Sequence, residues 1–307
     1  MLAALLAPGL WLRDPARNPG LTFDIVPLRF EAQAVGPFVL SGWWDLRGRD
    51  RRFGGLSALV AKGEGAFLAA SDTGRFAAFD VPVDGRGEGR LQLAGKRTRS
   101  KLGADIEALA QDPDTGTLWA AYEHTNRIAR FAPDYMKQAN VSIEAMSGWG
   151  SNSGPESLLR LPDGRFVAIE ESARGRGGVT HRAVLFSDDP TQDADARALH
   201  IETIEGYRIV DASVLEGEIW LLLRDVRFGL PPRFASALAR FPIAAVDKGS
   251  DISPELVVEF DDRVPRDNYE GLAIEKRADG TARFWIVSDD NFSSFQSSWL
   301  VALDYKP

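Results

Sequence analysis

Carboxylate and amide side chains bracket two apolar runs near the C-terminus. The stretch reads DNYEGLAIEKRADGTARFWIVSDDN over residues 267 to 291. Neighbouring carboxylates repel one another unless a cation or a basic side chain lies between them, so such a cluster predicts a site for one of the two. The polar residues are Asp267, Asn268 and Glu270 on one side and Asp289, Asp290 and Asn291 on the other.

The same arrangement occurs five times along the chain. Each copy has a polar residue, a short apolar run, a turn rich in Gly or Asp, a second apolar run and a further polar residue, which predicts a β-hairpin. The copies are SALVAKGEGAFLAASD from Ser57, EALAQDPDTGTLWAAYE from Glu107, ESLLRLPDGRFVAIEE from Glu156, DASVLEGEIWLLLRD from Asp211 and EGLAIEKRADGTARFWIVSDD from Glu270.

The open end of an antiparallel hairpin places the first residue of strand one beside the last residue of strand two. If the five hairpins run alike around a ring, we expect these residues to gather on one face, at the mouth of the central channel. Eight of the ten residues are acids. The pairs are Ser57 with Asp72, Glu107 with Glu123, Glu156 with Glu170, Asp211 with Arg224, and Glu270 with Asp289.

The gathered acids predict a divalent cation. Oxygen ligands suit Ca²⁺ or Mg²⁺, and a chain with no Cys and three His disfavours Zn²⁺. We expect Ca²⁺, with Mg²⁺ as the alternative. Each carboxylate could instead cap a strand end by accepting a backbone N–H bond. The predicted metal ligands are Asp72, Glu107, Glu123, Glu156, Glu170, Asp211, Glu270 and Asp289.

The repeats predict an all-β fold, a single β-propeller. The hairpins start about every 50 to 60 residues, and two further candidate strands follow each, which gives four strands per blade. Five blades are counted, and FVLSGWWDL at 38 to 46 leaves a sixth possible. N- and C-terminal strands, LTFDIVPLRF and SWLVALDY, are expected to close the ring in one blade. A β-sandwich or two small β domains are the alternatives.

Composition limits the partners and the compartment. The net charge of −8 argues against a nucleic-acid surface, which needs a basic stripe. The opening MLAALLAPGLWLRD is too short for a transmembrane helix, and it predicts either a signal remnant or a frayed tail over residues 1–20, before a propeller domain at 21–307. A periplasmic or otherwise exported protein is expected, with a cytoplasmic one as the alternative.

Several of these segments resemble the phytase-like family described as having esterase-like activity. The resemblance rests on GGLSAL with ASDTGRF, DIEALA, YEHTNRI, GPES, and above all NYEGLA with SDDNF, across roughly residues 50 to 305. It implies a β-propeller, often exported in bacteria, that hydrolyses phosphate or carboxylic esters. In such an enzyme, calcium held by acidic side chains neutralises phosphate oxygens and activates a water.

The resemblance also suggests roles for individual residues. Glu270, Asp289, Glu107 and Arg224 become the catalytic candidates. Arg224, the one basic member of the ring, becomes the candidate for binding an anionic substrate group. Further arginines from two long loops are expected to assist it: Arg174 and Arg176 from the first, Arg227 and Arg233 from the second.

The sequence departs from related enzymes in two respects. It lacks the dense run of aspartates that a multi-calcium phytase needs, and GSNSG at 150 to 154 has Asn152 where a serine nucleophile would stand. His124, beside Glu123, is interpreted as a hydrogen-bonded loop residue. A metal-dependent hydrolase of a small phosphoester or ester therefore competes with a non-catalytic envelope propeller that binds a protein or glycan and carries a structural cation.

Overall fold

The computed structural model describes residues 22–50, 52–95, 104–174, 178–227, 229, 233–293 and 296–306. The predicted tail or signal remnant at 1–20 and the predicted substrate residue Arg176 lie outside these ranges. Within them, no helix has both the length and the apolar character that crossing a membrane requires.

Nearly all regular structure is β-strand. The helical elements among the described residues are one 3₁₀ turn, Glu144–Met146, and a single-turn helix α1, Ala245–Lys248. The strands are β1 Thr22–Pro27, β2 Ala34–Val35, β3 Phe38–Gly48, β4 Leu56–Gly63, β5 Ala66–Ser71, β6 Arg75–Asp80, β7 Gly87–Leu93, β8 Ile106–Gln111, β9 Leu118–Tyr122, β10 Arg127–Phe131, β11 Lys137–Ser142, β12 Pro155–Arg160, β13 Phe166–Arg174, β14 Thr180–Phe186, β15 Ala196–Glu202, β16 Arg208–Leu215, β17 Glu218–Arg227, β18 Arg233–Pro242, β19 Asp251–Ile252, β20 Glu255–Glu259, β21 Tyr269–Lys276, β22 Ala282–Ser288 and β23 Ser298–Tyr305.

The strands form antiparallel meanders in which sequence neighbours pair. One sheet has the order β11-β10-β9-β8, a second β12-β13-β14-β15 with β19 parallel at its edge, and a third β16-β17-β18-β20. The largest sheet has the order β21-β22-β23-β3-β1-β7-β6-β5-β4, with β2 beside β3. It therefore joins two meanders, β4 to β7 and β21 to β23, through the N-terminal strands.

The first strands of the five meanders surround one axis. Each packs against the next in the order β4, β8, β12, β16, β21 and back to β4. All five also line a cavity of about 200 Å³ toward the hairpin-turn end. The predicted all-β propeller is confirmed by this arrangement, and five meanders around one axis are not the two-layer stacking of a sandwich.

The N-terminal strands join the sheet in a different order from the one expected. We predicted that LTFDIVPLRF would pair with the C-terminal strand, but β23 pairs with β3, the segment left unassigned above. Strand β1 lies on the far side of β3 and also pairs with β7. The eleven-residue β3 can do this because it presents one edge to β23 and the other to β1.

Aromatic side chains fill the space between the last meander and its neighbour. Phe38, Phe284 and Tyr305 pack around Trp220, with ring centroids 4.8 to 6.1 Å apart. Such rings contribute about 0.5–1.5 kcal/mol per pair beyond the burial of their area. They anchor β3 and β23 against β17, which holds the first strands at fixed positions around the axis.

Candidate functional site

Each first strand carries a β-bulge near its start, on the face of the ring away from the hairpin turns. The ladder slips by one residue at this point in β4, β8, β12, β16 and β21. A bulge leaves one residue unpaired and turns its side chain away from the regular alternation. The five bulged residues are Ser57, Glu107, Glu156, Val210 and Glu270.

A second tier of residues follows the ends of the second strands. In four meanders, the backbone N–H of this residue donates to the carbonyl oxygen of the residue immediately before the first strand. The four bonds run from Asp72 to Gly55 at 3.0 Å, from Glu123 to Asp105 at 3.1 Å, from Glu171 to Gly154 at 3.1 Å and from Asp289 to Asn268 at 2.9 Å. In the fourth meander Arg224 takes this place, and it pairs with Arg208 in the ladder. The repeated bond fixes the second tier beside the bulged residues.

We call the group formed by Glu107, Glu123, Glu156, Glu171, Arg224, Glu270 and Asp289 the acidic mouth. These side chains come from all four meanders other than β4 to β7. Each is within electrostatic range of at least one other member. The hairpin repeat thus brings together six of the ten residues predicted from it.

Arg224 is the centre of the hydrogen-bond network in the acidic mouth. Its Nη2 donates to Glu171 Oε1 at 2.9 Å, and its Nη1 donates to Glu270 and, at 2.8 Å, to Asn268 Oδ1. Asn268 Nδ2 also donates to Glu270, at 2.7 Å. The one guanidinium therefore neutralises two carboxylates, and its Nε is buried without a hydrogen-bond partner in the described chain.

Glu107 and Glu156 are not neutralised in this way. Neither carboxylate forms a hydrogen bond or ion pair with a described residue, although Glu156 is only 5% exposed. Burial raises the pKa of Glu107 well above its usual range, and the charges of Glu156 and Glu270 raise it further. The pKa of Glu156 is raised by burial, then by Glu171 and Glu270, against the lowering effect of Arg224.

The pKa values of Glu270 and Asp289 are also raised. Burial raises the pKa of Glu270, while Arg224 opposes the shift. Burial and the charge of Glu270 raise the pKa of Asp289, whose Oδ1 accepts the N–H of Asn291 at 2.7 Å. Closely spaced acids with raised pKa values, among which Glu107 and Glu156 accept no hydrogen bond from a described residue, fit a hard divalent cation, because binding it removes the mutual repulsion.

Glu170 does not lie in the acidic mouth. Its carboxylate accepts hydrogen bonds from Arg182 Nε at 2.6 Å and Nη2 at 2.7 Å, and from the backbone of Gly150 at 3.2 Å. The cause is its pairing with Pro155, which precedes the bulge, because successive residues of a strand point to opposite faces. Glu171 takes the position that we predicted for Glu170.

Asp211 serves as a brace between strands rather than facing the mouth. Its carboxylate accepts backbone N–H bonds from Leu272 at 2.7 Å and from Ala212 at 2.8 Å, and a further one from Leu59. The bulged residue of this strand is Val210, which packs in the apolar core. Burial raises the pKa of Asp211, and its oxygen atoms are occupied by backbone donors.

The first meander contributes a separate arrangement at the rim. Ser57 Oγ donates to the carbonyl of Ile106 at 2.5 Å and so links β4 to β8. Asp72 lies against Gly55, which has φ +62, and a Cβ at Gly55 would come within 2.2 Å of Asp72 Oδ1. Only glycine fits there, since both the dihedral angle and the space exclude a side chain. Asp72 is near enough to Asp289 to raise its pKa.

The long-loop arginines lie outside the acidic mouth. Arg174 is half exposed, 3.6 Å from Glu170, and Arg227 pairs with Asp225 at 2.9 Å. Arg233 is exposed at the start of β18. The basic residue that does assist Arg224 is Arg208, whose Nη1 is 3.4 Å from Glu171 Oε2. Sequence inspection missed it because it precedes the repeated hairpin.

His124 takes part in a cluster beside the acidic mouth. Its Nε2 is 2.9 Å from Asp105 Oδ2 and 3.5 Å from Glu123 Oε2, and its Nδ1 contacts the carbonyl oxygen of Ser151. Burial raises the pKa of Glu123 to about 7, against the lowering effect of His124. The motif YEHTNRI contained the histidine, but nothing in the sequence placed Asp105 next to it.

Comparison with known proteins assigns the chain to a family. Residues 51–292 match the family model described as "Phytase-like: Esterase-like activity of phytase". The chain belongs to this phytase-like family. No curated protein sequence matches it significantly.

Solved structures resemble the chain at the level of overall shape. An exo-1,5-α-L-arabinanase from a bovine ruminal metagenomic library has a TM-score of 0.48 at 14% identity, over 89% of this chain and 95% of that one. For the PQQ-bound aldose sugar dehydrogenase of Streptomyces coelicolor the values are 0.47, 13%, 95% and 100%. For the gluconolactonase XC5397 of Xanthomonas campestris they are 0.45, 10%, 95% and 99%.

Proposed function

We propose that this protein is a metal-dependent hydrolase that cleaves a small phosphoester or carboxylic ester at the acidic mouth. The proposal rests on one observation above all. Three glutamates on equivalent bulges, Glu107, Glu156 and Glu270, are close enough for their charges to raise one another's pKa, and Glu107 and Glu156 have no hydrogen-bond or ion-pair partner in the described chain. A bound Ca²⁺, or Mg²⁺ in its place, would compensate these charges. The family description supports the hydrolytic class.

In this proposal, the residues of the acidic mouth have different roles. Glu107 and Glu156 would hold the cation, which would supply charge neutralisation for an anionic oxygen and acidify a water. Arg224 binds the anionic group of the substrate, since its guanidinium is already oriented by Glu171 and Glu270. Asp289 accepts the proton of the attacking water, because a carboxylate with a raised pKa is a stronger base than an ordinary one.

We further infer that the ring has five blades and that the substrate enters from the mouth. The five first strands, each in contact with the next, support this count. Behind the acidic mouth the first strands pack tightly, since a Cβ at Gly271 would come within 2.9 Å of the backbone of Ala58 and Leu59 in β4. This packing supports entry of the substrate from the mouth. A periplasmic or otherwise exported location stays a prediction from the sequence, with a cytoplasmic one as the alternative.

The test compares Glu107→Gln and Glu156→Gln with Glu205→Gln, an exposed control. Melting temperature is measured with and without Ca²⁺ or Mg²⁺, and turnover is measured with p-nitrophenyl phosphate and p-nitrophenyl acetate. Each mouth variant is expected to fold, to lose the cation-dependent rise in melting temperature and to lose turnover. Turnover that is equal in all three variants would overturn the proposal. Cation binding without hydrolysis of either substrate class would support the non-catalytic binding propeller instead.

A further inference from the structure

We propose that Asp105, Glu123 and His124 form a second metal site, selective for a transition metal of the Zn²⁺ class. One ligand atom from each residue lies within 4.8 Å of the other two. This site shares Glu123 with the acidic mouth, whose candidate ligands offer only oxygen atoms, and it adds an imidazole nitrogen. The inference goes beyond the proposed hydrolase and does not depend on it.

The orientation of His124 favours a metal at Nε2. Because a backbone carbonyl can only accept, the contact with the Ser151 carbonyl requires Nδ1 to carry a proton. Nε2 then faces two carboxylates, Asp105 and Glu123, so that a metal ion at Nε2 would be held by all three residues. Metal-bound histidines commonly donate their other ring N–H to a backbone carbonyl or a carboxylate.

The spacing of the donor atoms fits a tetrahedral ion. Ligands about 2.1 Å from a tetrahedral metal lie roughly 3.4 Å from one another. The distances from His124 Nε2 to Asp105 Oδ2 and Glu123 Oε2, 2.9 and 3.5 Å, lie on either side of that value. Three protein ligands leave the fourth position open, as in catalytic zinc sites. Imidazole with carboxylates suits Zn²⁺ and Co²⁺ better than it suits Ca²⁺.

The site is rigid on one side and accessible on the other. Asp105 is buried, and its carbonyl accepts the backbone N–H of Glu123 at 3.1 Å, so the two carboxylates are held together. A cavity of about 360 Å³ opens beside His124 and Ser151, between the loop after β9 and the 3₁₀ turn. The His124 side chain is itself 20% exposed, so the cluster is not sealed from solvent.

The experiment titrates the metal-free protein with Zn²⁺ in a calorimeter and with Co²⁺ by visible absorption. His124→Gln is compared with His200→Gln, which removes a more exposed surface histidine that also lies near one carboxylate, that of Asp251. The unmodified protein and His200→Gln are expected to bind one equivalent with equal affinity. His124→Gln is expected to bind at least about 10-fold more weakly, since even the loss of an outer partner costs 10- to 100-fold.

Two results would overturn the proposal: no binding by the unmodified protein, or equal affinity in both histidine variants. If His124→Gln fails to fold, the ¹⁵N shift of His124 Nε2 in the unmodified protein decides, because only direct coordination moves it on Zn²⁺ addition and an imidazolium ion pair leaves it unchanged. Glu156→Gln is expected to retain Zn²⁺ affinity. Loss of turnover with retained Zn²⁺ binding therefore separates the two proposals.

Discussion

Replacing Arg224 by Met is the most direct test of the electrostatics of the acidic mouth. The guanidinium is 12% exposed, and it neutralises Glu171 and Glu270, which are 12% and 11% exposed. The substitution preserves most of the volume and removes the charge. Both carboxylates then remain nearly buried without a counter-charge, apart from the more distant Arg208 beside Glu171.

The expected cost is about 3–5 kcal/mol of unfolding free energy, the usual penalty for removing one partner of a buried ion pair. The cost depends on pH. Burial already holds the pKa of Glu270 above its unfolded value, and the loss of Arg224 raises it further. A group with a raised folded-state pKa contributes its stability below the unfolded pKa, and this is lost as the pH rises through the folded pKa. The variant is therefore expected to be closest to the unmodified protein near pH 5 and furthest from it near pH 8.

The assay is urea unfolding of the cation-free protein at pH 5 to 8, followed by tryptophan fluorescence. Arg208→Met is the matched control, because that arginine is half exposed and 3.4 Å from the same Glu171, which predicts a cost of at most about 1 kcal/mol. Equal effects of the two substitutions, or a cost for Arg224→Met that shrinks as the pH rises, would refute the reasoning.

Two further predictions concern acids outside the acidic mouth. Burial raises the pKa of Asp267 to about 6 from 3.8. The unmodified protein is therefore expected to lose about 3 kcal/mol of unfolding free energy from this group as the pH rises from about 4 to 7. Urea unfolding of Asp267→Asn is expected to show no such loss. Asp211→Ala is expected to cost about 3 kcal/mol or more of unfolding free energy, because it leaves the backbone N–H groups of Leu272, Ala212 and Leu59 without their acceptor. Ca²⁺ is expected still to raise the melting temperature of this variant. Loss of that response would show that Asp211 is a metal ligand after all.

The alternation of apolar runs and turns was sufficient to predict the hairpins and the class of fold. It also predicted equivalent positions for Glu107, Glu156 and Glu270, and each of them is the bulged residue of its first strand. The second-strand residues Glu123 and Asp289 followed from the same pattern. Local periodicity is visible in a single sequence because every residue of a strand alternates between two faces.

Register was not predictable at two of the five hairpins. Each first strand has a bulge, and a bulge shifts all later side chains by one position without any mark in the composition. This shift moved Glu171 into the place predicted for Glu170, and it turned Asp211 into the core beside Val210. The proximity of His124 and Asp105 likewise depends on the path of a loop rather than on a repeat.

The pairing of β3 with β23 affects how the protein is made. Strand β3 ends at Gly48 and its neighbour begins at Ser298, so about 250 residues must be synthesised before the pair can form. At about 5–20 residues per second, the ribosome needs roughly 12 to 50 s for this stretch. Throughout that interval, an edge of Val, Leu and Trp residues on the nascent chain has no permanent neighbour. We expect chaperone holding of this N-terminal segment to limit the yield of native protein in cells.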